Sequence, residues 1–235
     1  MSQPPVGDPH AAADEFALEL ARGSGEAERA ARAVSLVVEL LEGCDAAGIT
    51  VADPSGFQTL ASSSPVATAC DRLQYQLRQG PCVDTVRSHQ TVFSEAVDVD
   101  PRWPEWGPLV AGTHDIGSVY SLLLYTKAEA YGALNLYSLR EHGFTGEDLG
   151  LAPSLAAHIA VAAVDARQID QLVMAMATRT VIGQAEGILM ERYRVTAGEA
   201  FEMLRRRSQE ANCRLVRLAE DLVNTGEWPG GNPGG

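Results

Sequence analysis

Arginine is the residue type of this chain that points most directly to chemistry. Eight arginines fall in the last quarter of the sequence, and no lysine occurs after Lys127: Arg179, Arg192, Arg194, Arg205, Arg206, Arg207, Arg214 and Arg217. The planar guanidinium binds phosphate oxygens in a fork and stacks on unpaired bases. The alternative is a solvated surface on which the arginines pair with neighbouring acids. Charge alone leaves both interpretations open.

The other reactive side chains do not form a pattern typical of catalysis or metal binding. Four cysteines include no Cys-x-x-Cys pair: Cys44, Cys70, Cys82 and Cys213. The five histidines never approach each other or a cysteine at metal-ligand spacing. There is no glycine-rich phosphate loop, no Gly-x-Ser-x-Gly and no kinase-type signature. We therefore expect reduced thiols, no metal site and no enzymatic activity.

Charge is distributed unevenly along the chain. The formal net charge is −13, which at face value argues against nucleic acid. Residues 1–165 hold 9 basic and 22 acidic residues, whereas residues 166–235 hold nine of each. The front part is therefore acidic, and the back part is neutral and rich in arginine. Neither a signal peptide nor an apolar run of the roughly 20 residues that a membrane helix needs is present, so we expect a cytoplasmic protein.

The sequence around the arginines predicts a bundle of three helices. The first carries a wide apolar stripe, formed by Val181, Ile182, Ala185, Ile188 and Leu189. Thr196-Ala-Gly-Glu199 has the pattern of a capping box. It begins a second helix whose apolar positions are Ala200, Phe201, Leu204 and Ala211. Asn212 is the expected cap of a third helix that buries Leu215, Leu218, Ala219 and Leu222 and ends at Asn224 or Gly226.

The order of these positions resembles the ANTAR module across all three helices. The matching residues are Arg179, Ile182, Gln184, Ala185, Gly187, Leu189 and Met190, then Ala200, Phe201, Leu204, Arg205 and Ser208, then Asn212, Leu215 and Ala219. ANTAR modules bind paired RNA stem-loops in leader transcripts and block terminator formation. The resemblance implies RNA-binding residues at Arg179, Gln184, Gly187, Arg205, Ser208, Asn212 and Arg214. It also implies a core of Ile182, Ala185, Leu189, Ala200, Phe201, Leu204 and Leu215.

Three neighbouring positions in the first helix raise separate questions. Ala185 and Gly187 would let either a packed helix or a nucleotide approach the backbone, and both interpretations stay open. A glycine in mid-helix costs up to about 1 kcal/mol relative to alanine, so a contact should compensate it. Glu186 stands where ANTAR modules commonly have lysine. Either this position lies off the RNA surface, or the affinity for RNA is altered.

The front part predicts helices around an antiparallel sheet, that is, an α+β domain. Helices are expected near residues 12–21, 26–42, 67–78 and 82–88. Strands are expected at residues 48–54, 57–61, 117–125 and 131–138.

Three segments carry a second resemblance: Leu73–Cys82, Asp100–Pro104 and Gly132–Ser138. They resemble a GAF domain, a small-molecule sensing module, of the variety found ahead of RNA-binding modules in actinobacteria. The resemblance implies a sheet of five or six strands with a ligand pocket on one face. For its lining we take Cys82, Phe93, Trp103, Trp106 and Tyr120. Cys82 is either a redox or ligand contact or a buried structural thiol. The sequence implies no cofactor and does not identify the ligand.

A long helix is predicted to join the two parts. It begins after the N-cap pattern Thr145-Gly-Glu-Asp148 and runs to Arg192, and Pro153 is expected to kink or restart it. Seven apolar positions alternate in steps of four and three: Leu155, Ile159, Ala162, Ala166, Ile169, Val173 and Met176. This spacing is typical of a coiled coil, although it also occurs in intramolecular packing. We expect a dimer seam, because the polar residues around it leave little else to bury it against.

These expectations give a domain plan and a function. The plan is a GAF domain at residues 14–152, a coiled-coil linker at 153–178 and an ANTAR domain at 165–226 that overlaps the linker helix, with disordered residues 1–13 and 227–235. The function is a homodimeric regulator that binds leader RNA and promotes antitermination under a small-molecule or redox signal. The alternative is a non-enzymatic interaction protein whose C-terminal helices bind a protein or DNA.

Overall fold

The computed structural model describes residues 9–53, 56–126 and 130–228, which form two compact units divided between Gln168 and Ile169. The predicted disorder of residues 1–8 and 229–235 lies outside the described residues. Residues 9–13, also predicted to be disordered, instead open the first helix. Trp228 packs against the core of the second unit, so the predicted disorder does not extend to it.

The first unit is built on an antiparallel sheet of five strands, within the predicted range of five or six. The strands are β1 (Ala46–Asp53), β2 (Gly56–Ser62), β3 (Val92–Ser94), β4 (Ser118–Tyr125) and β5 (Ala130–Ser138). Their order in the sheet is β2-β1-β5-β4-β3, and every neighbouring pair is antiparallel. Asn135 of the central strand lies opposite Gly48 on one side and Ser121 on the other.

Helices cover both faces of this sheet. They are α1 (Pro9–Ala21), α2 (Glu26–Leu40), α3 (Pro65–Leu77), α4 (Pro81–Ser88), α5 (Trp106–His114) and the 3-10 helix Val97–Val99. Side chains alternate between the faces of a strand. Tyr120 and Leu122 of β4 therefore belong to the core cluster that includes α1 and α2, whereas Val119 belongs to the one that includes α3 and α5. The predicted α+β class is confirmed.

The longest helix, α6, spans Gly146–Tyr193 without interruption, so the predicted restart at Pro153 is wrong. The predicted cap is present: the Asp148 N–H donates to Thr145 Oγ1 at 3.1 Å, and the Thr145 N–H donates to Asp148 Oδ2 at 2.8 Å. By length and composition alone α6 could cross a membrane, but 44% of its most apolar window is buried inside the protein. A core helix passes the same test, so this is weak evidence for a membrane span.

The predicted seam divides between two environments. Leu155 and Ile159 are buried in the main core cluster of the first unit, Ala162 packs against that cluster, and Ala166 is buried in the same unit. For these four positions the intramolecular alternative is correct, because the first unit of the same chain buries them, Ala162 in part. Ile169, Val173 and Met176 are 49%, 60% and 71% exposed. Only this part remains available to a second chain.

The second unit is a bundle of three helices, as predicted. The end of α6 packs with α7 (Ala197–Glu210) and α8 (Leu215–Thr225) around a buried core of Ala185, Leu189, Ala200, Leu204, Leu218, Ala219 and Leu222. The capping box of Thr196 and Glu199 is present. Gly226, in the left-handed region at φ 69°, ends α8.

Three details of the bundle differ from the prediction. Phe201 is 37% exposed rather than core, and Ala211 is exposed at the end of α7. The cap of α8 is Arg214, not Asn212. Asn212 lies in the connecting turn at φ 48°, a left-handed conformation that asparagine tolerates better than most residues.

Candidate functional site

The arginines of the second unit differ in whether another group of the unit already binds them. Arg205 forms an ion pair with Glu202 at 2.7 Å, and Arg207 forms one with Glu210 at 3.3 Å. Arg192 donates to the backbone oxygen of Gly226 at 2.6 Å. These contacts engage the three guanidinium groups within the unit and leave them less available to phosphate.

Five other arginines are exposed and, within the described residues, form no ion pair: Arg179, Arg194, Arg206, Arg214 and Arg217. Arg179 and Arg214 are among the residues predicted to bind RNA. Arg206 and Arg217 were not predicted, and helical geometry places both opposite the buried faces of α7 and α8. The helical spacing of the buried leucines in the sequence already places Arg206 and Arg217 on the exposed faces, so this spacing could have identified both as candidates. These five side chains are the strongest candidates for contact with phosphate.

Two residues predicted to bind RNA take part in the turn between α7 and α8. Ser208 is half-buried, and its hydroxyl donates to the backbone oxygen of Cys213 at 2.6 Å. Asn212 occupies the left-handed position of the same turn. Both residues therefore have a structural role that explains their type.

The small residues of α6 separate into two kinds. Ala185 is fully buried in the bundle core, so its small side chain serves packing. Gly187 is exposed, as is Gln184, and a Cβ atom added at Gly187 would meet nothing within 4 Å. Packing within the unit therefore does not explain Gly187. Glu186 is half-buried on the same helix.

The five residues predicted to line a sensor pocket do not converge in the structure. Phe93 and Tyr120 pack edge-to-face at 5.4 Å between ring centroids, on the side of the sheet that α1 and α2 cover. Trp103 and Trp106 are buried on the other side, and their rings are 5.6 Å apart. Cys82 is buried beside Ala133. The predicted pocket is wrong as one site, because its members belong to three separate hydrophobic clusters.

A closed network of buried polar groups occupies the side of the sheet that α3 and α4 cover. Asp71 is fully buried and accepts hydrogen bonds from Tyr137 Oη at 2.6 Å, Asn135 Nδ2 at 2.9 Å and Thr59 Oγ1 at 3.2 Å. Gly48 leaves room for this carboxyl group, because a Cβ atom there would lie 2.6 Å from Asp71 Oδ2.

The network continues from Asp71 towards β4 and α4. Asn135 accepts a hydrogen bond from Ser121 and donates one to Thr50, each at 2.8 Å. Gln74 donates to Tyr137 Oη and accepts from the Cys82 N–H, again at 2.8 Å. Each polar side chain finds a partner within the protein, so the network fills the space between the sheet and the helices.

Burial changes the acidity of the groups in and around this network. Desolvation raises the pKa of Asp71 to about 6, although the hydrogen bonds from Tyr137 and Asn135 oppose the shift. Desolvation also raises the pKa of Cys44 and of Cys70 to about 12, and that of Cys82 well above its usual range. These buried thiols are not poised as thiolates, which argues against cysteine redox chemistry.

Comparison with known families agrees with both units. A family model for the GAF domain matches residues 24–163, and one for the ANTAR domain matches residues 170–223. No curated protein sequence matches the chain.

Solved structures share the architecture of the first unit. The GAF domain from Acinetobacter phosphoenolpyruvate-protein phosphotransferase has a TM-score of 0.56 at 14% identity, covering 73% of this chain and 99% of that one. The free methionine-R-sulfoxide reductase from Neisseria meningitidis, in complex with its substrate, has a TM-score of 0.52 at 16% identity, with coverage of 72% and 96%. The Stigmatella aurantiaca phytochrome photosensory core module has a TM-score of 0.56 at 10% identity, with coverage of 85% and 45%. At these identities the likeness shows the fold alone.

GAF and ANTAR domains are regulatory rather than catalytic, and together they fit a regulator with a sensory input. The GAF match covers more than half of the 235 residues. The chain therefore belongs to the GAF domain family, and an ANTAR domain follows the sensor to give the GAF–ANTAR architecture.

Proposed function

We propose that this chain is a cytoplasmic, non-enzymatic regulator that binds stem-loops in nascent leader RNA through its ANTAR domain and promotes antitermination. The observation that carries the proposal is the ANTAR match over residues 170–223, on a bundle whose described residues include five exposed arginines with neither an ion pair nor a backbone hydrogen bond: Arg179, Arg194, Arg206, Arg214 and Arg217. Guanidinium groups free of carboxylates are suited to phosphate and to unpaired bases. The net charge of zero over residues 166–235 removes the objection raised by the overall −13.

Arginine variants test this RNA-binding surface. We expect Arg206→Ala and Arg217→Ala each to weaken binding of a leader RNA and to reduce the slope of log K against log salt by about 1. The matched control is Arg22→Ala, which removes an exposed arginine of the GAF domain. Gel shifts across a salt series provide the measurement. Equal effects of all three variants would mean that the bundle surface does not bind the RNA.

For the sensor, we propose that a small molecule acts at the buried polar network around Asp71 rather than at a cysteine. The raised pKa values of the buried thiols oppose a redox mechanism. A buried polar network, in contrast, holds the side chains and helices around it in one specific arrangement. A ligand that replaces some of these hydrogen bonds would bias the position of α3 and α4. A thermal-shift screen tests this proposal, with Ser121→Ala and Asn135→Leu as network variants and Ser35→Ala as the surface control. A stabilising ligand whose effect survives both network variants would place the sensor site elsewhere.

We also propose that the regulator is a homodimer, because the predicted seam residues Ile169, Val173 and Met176 are exposed. Two linked ANTAR domains would bind two adjacent hairpins with a raised effective concentration. Sedimentation of Ile169→Lys with Val173→Lys should give a monomer, and a persistent dimer would exclude this segment as the interface.

A further inference from the structure

The two carboxylate oxygens of Asp71, at the centre of the buried polar network, are not equally satisfied. Oδ1 accepts hydrogen bonds from Tyr137 Oη at 2.6 Å and from Asn135 Nδ2 at 2.9 Å. Within the described residues, Oδ2 accepts one longer bond, from Thr59 Oγ1 at 3.2 Å. An ionised carboxylate has about four acceptor positions. Oδ2 of Asp71 can therefore accept further donors from a ligand.

Among the described residues, no basic side chain compensates the charge of this buried carboxylate. The titratable side chains that face it are those of Cys70 and Tyr75 on α3, Cys82 on α4 and Tyr137 on β5. Burial raises the pKa of each of these four groups, so all of them are uncharged at neutral pH. A buried carboxylate without a cation is unfavourable, and a cationic ligand would remove that penalty.

The network comes close to the surface at the sheet edge formed by β2. Thr59 of that strand and Tyr75 of α3 are half-buried, whereas Asp71 is fully buried. The Tyr75 hydroxyl lies between the hydroxyls of Thr50 and Thr59, at 2.8 and 2.9 Å. Rotation of the Tyr75 side chain away from the sheet would open this position. A donor placed there has both threonine oxygens within hydrogen-bond distance, and Asp71 Oδ2 lies next to Thr59.

The surroundings of this position are aromatic and aliphatic. The Phe57 ring stacks on that of Tyr75, with centroids 5.9 Å apart and an angle of 18° between the planes. Both rings pack against a buried cluster of Cys82, Val83 and Ala133. Aromatic faces attract cations, and an apolar cluster suits a hydrocarbon tail.

The overall charge of the sensor unit favours the same class of ligand. Residues 1–165 hold 9 basic and 22 acidic residues. The resulting field attracts cations and repels ligands that carry phosphate or carboxylate groups.

We propose that the sensor ligand is a small primary amine whose ammonium group binds Asp71 Oδ2 and the hydroxyl oxygens of Thr50 and Thr59. Its hydrocarbon part then lies against Phe57 and Tyr75. An ammonium group has three N–H donors and no acceptor, and the three oxygens match these donors. The ammonium group takes the place of the Tyr75 hydroxyl, so binding moves a side chain of α3.

This inference rests on the proposed sensor site and names the class of ligand that the site binds. Dependence of a ligand's effect on Ser121 and Asn135 tests the site, whereas dependence on the ligand's charge and on Asp71 tests the class. A neutral or anionic ligand whose effect is lost in Asn135→Leu would preserve the proposed site and overturn the amine.

Asp71→Asn tests the ammonium contact in the full chain. The probes are primary alkylamines, each compared with the alcohol and the carboxylate of the same carbon skeleton at equal ionic strength. Thermal unfolding identifies the probes that stabilise the sensor unit, and calorimetric titration measures their affinity. We expect only the amines to stabilise the wild type. Their affinity for Asp71→Asn should be at least about tenfold weaker, because a hydrogen bond to a charged group is lost.

Asp100→Asn is the matched control, because it removes another carboxylate of the same unit, one that already pairs with Arg102. Amines should bind this variant as they bind the wild type. Equal affinity of the amines for Asp71→Asn and the wild type would overturn the inference. A series in which no amine stabilises the wild type would overturn it as well.

Two further measurements separate this contact from general attraction of cations. Trimethylation of the amine keeps the charge but removes the three donors, and it should weaken binding by at least about tenfold. Amine affinity should also fall as pH drops below about 6, because Asp71, whose pKa is about 6, then becomes protonated. Equal binding of the trimethylated amines, or an affinity that does not change between pH 7 and pH 5, would exclude the proposed contact.

Discussion

Replacing Asp71 by asparagine removes one buried ionisable group and leaves its surroundings in place. The amide oxygen can accept the hydrogen bonds from Tyr137 and Asn135, and the amide nitrogen can donate to Thr59. The side chains are nearly equal in size. A difference between Asp71→Asn and the wild type therefore reports the ionisation of this carboxyl group.

The sign and size of that difference follow from burial. The pKa of Asp71 is about 6 in the folded protein, against an ordinary value of 3.8. Because the pKa of Asp71 is higher in the folded than in the unfolded state, protonation of Asp71 favours folding. This stabilisation is complete below about pH 4 and is lost as pH rises through 6. A difference of about two pKa units corresponds to about 3 kcal/mol. Roughly 1 kcal/mol of this falls between pH 7 and pH 5.

Urea unfolding of both proteins at several pH values measures this contribution. The fluorescence of Trp103 and Trp106, both buried in the sensor unit, reports its unfolding. From pH 7 to pH 5 we expect the wild type to gain about 1 kcal/mol relative to Asp71→Asn. Equal pH dependence of the two proteins would refute the reasoning, because Asp71 would then not titrate in this range.

Asp100→Asn is the matched control for this experiment. Burial opposes ionisation of Asp100, but hydrogen bonds from Arg102 and Ser94 outweigh it and lower the pKa of Asp100 to about 2. This stabilisation is therefore present above about pH 4 and is lost only as pH falls towards 2. The Asp100→Asn variant should show the wild-type pH dependence between pH 5 and pH 7.

Three further substitutions test the ANTAR bundle. Glu186→Lys should tighten RNA binding and steepen its salt dependence in gel shifts, and no change in either would place this position off the RNA surface. Thr196→Ala removes the cap of α7 and should lower the free energy of unfolding of the bundle by about 1 kcal/mol in thermal unfolding. An unchanged stability would mean that the cap does not stabilise α7. Leu204→Ala should cost about 2–5 kcal/mol and abolish RNA binding while the sensor unit stays folded, a result that circular dichroism and tryptophan fluorescence together can check.

Local patterns predicted much of the fold. Helix caps at Thr145 and Thr196 and the end of α8 at Gly226 depend on a few neighbouring residues, and the structure has all three. The apolar segments 117–125 and 131–138 likewise predicted two strands, and the structure has β4 and β5 there. Such features need no knowledge of distant contacts.

Features that depend on distant contacts were not predicted correctly. The heptad spacing identifies an apolar face but does not say what covers it, and the first unit of the same chain buries Leu155, Ile159 and Ala166. The supposed pocket failed for the same reason, because strand pairing and the packing of helices from distant parts of the chain decide which cluster each residue joins. The polar network had a weak signal in Asn135, a polar residue inside an otherwise apolar strand. Its partner Asp71 lies 64 positions away in sequence.

The most direct test of the proposed function is a competition between two nucleic acids for the full-length chain. A labelled leader RNA with two adjacent hairpins is bound in a gel shift and then challenged with unlabelled duplex DNA of equal length, at physiological salt. The account predicts that the RNA stays bound, and that a single hairpin binds more weakly than the pair. Equal displacement by duplex DNA and by the unlabelled RNA would contradict the account, because the arginines would then recognise phosphate charge rather than RNA structure.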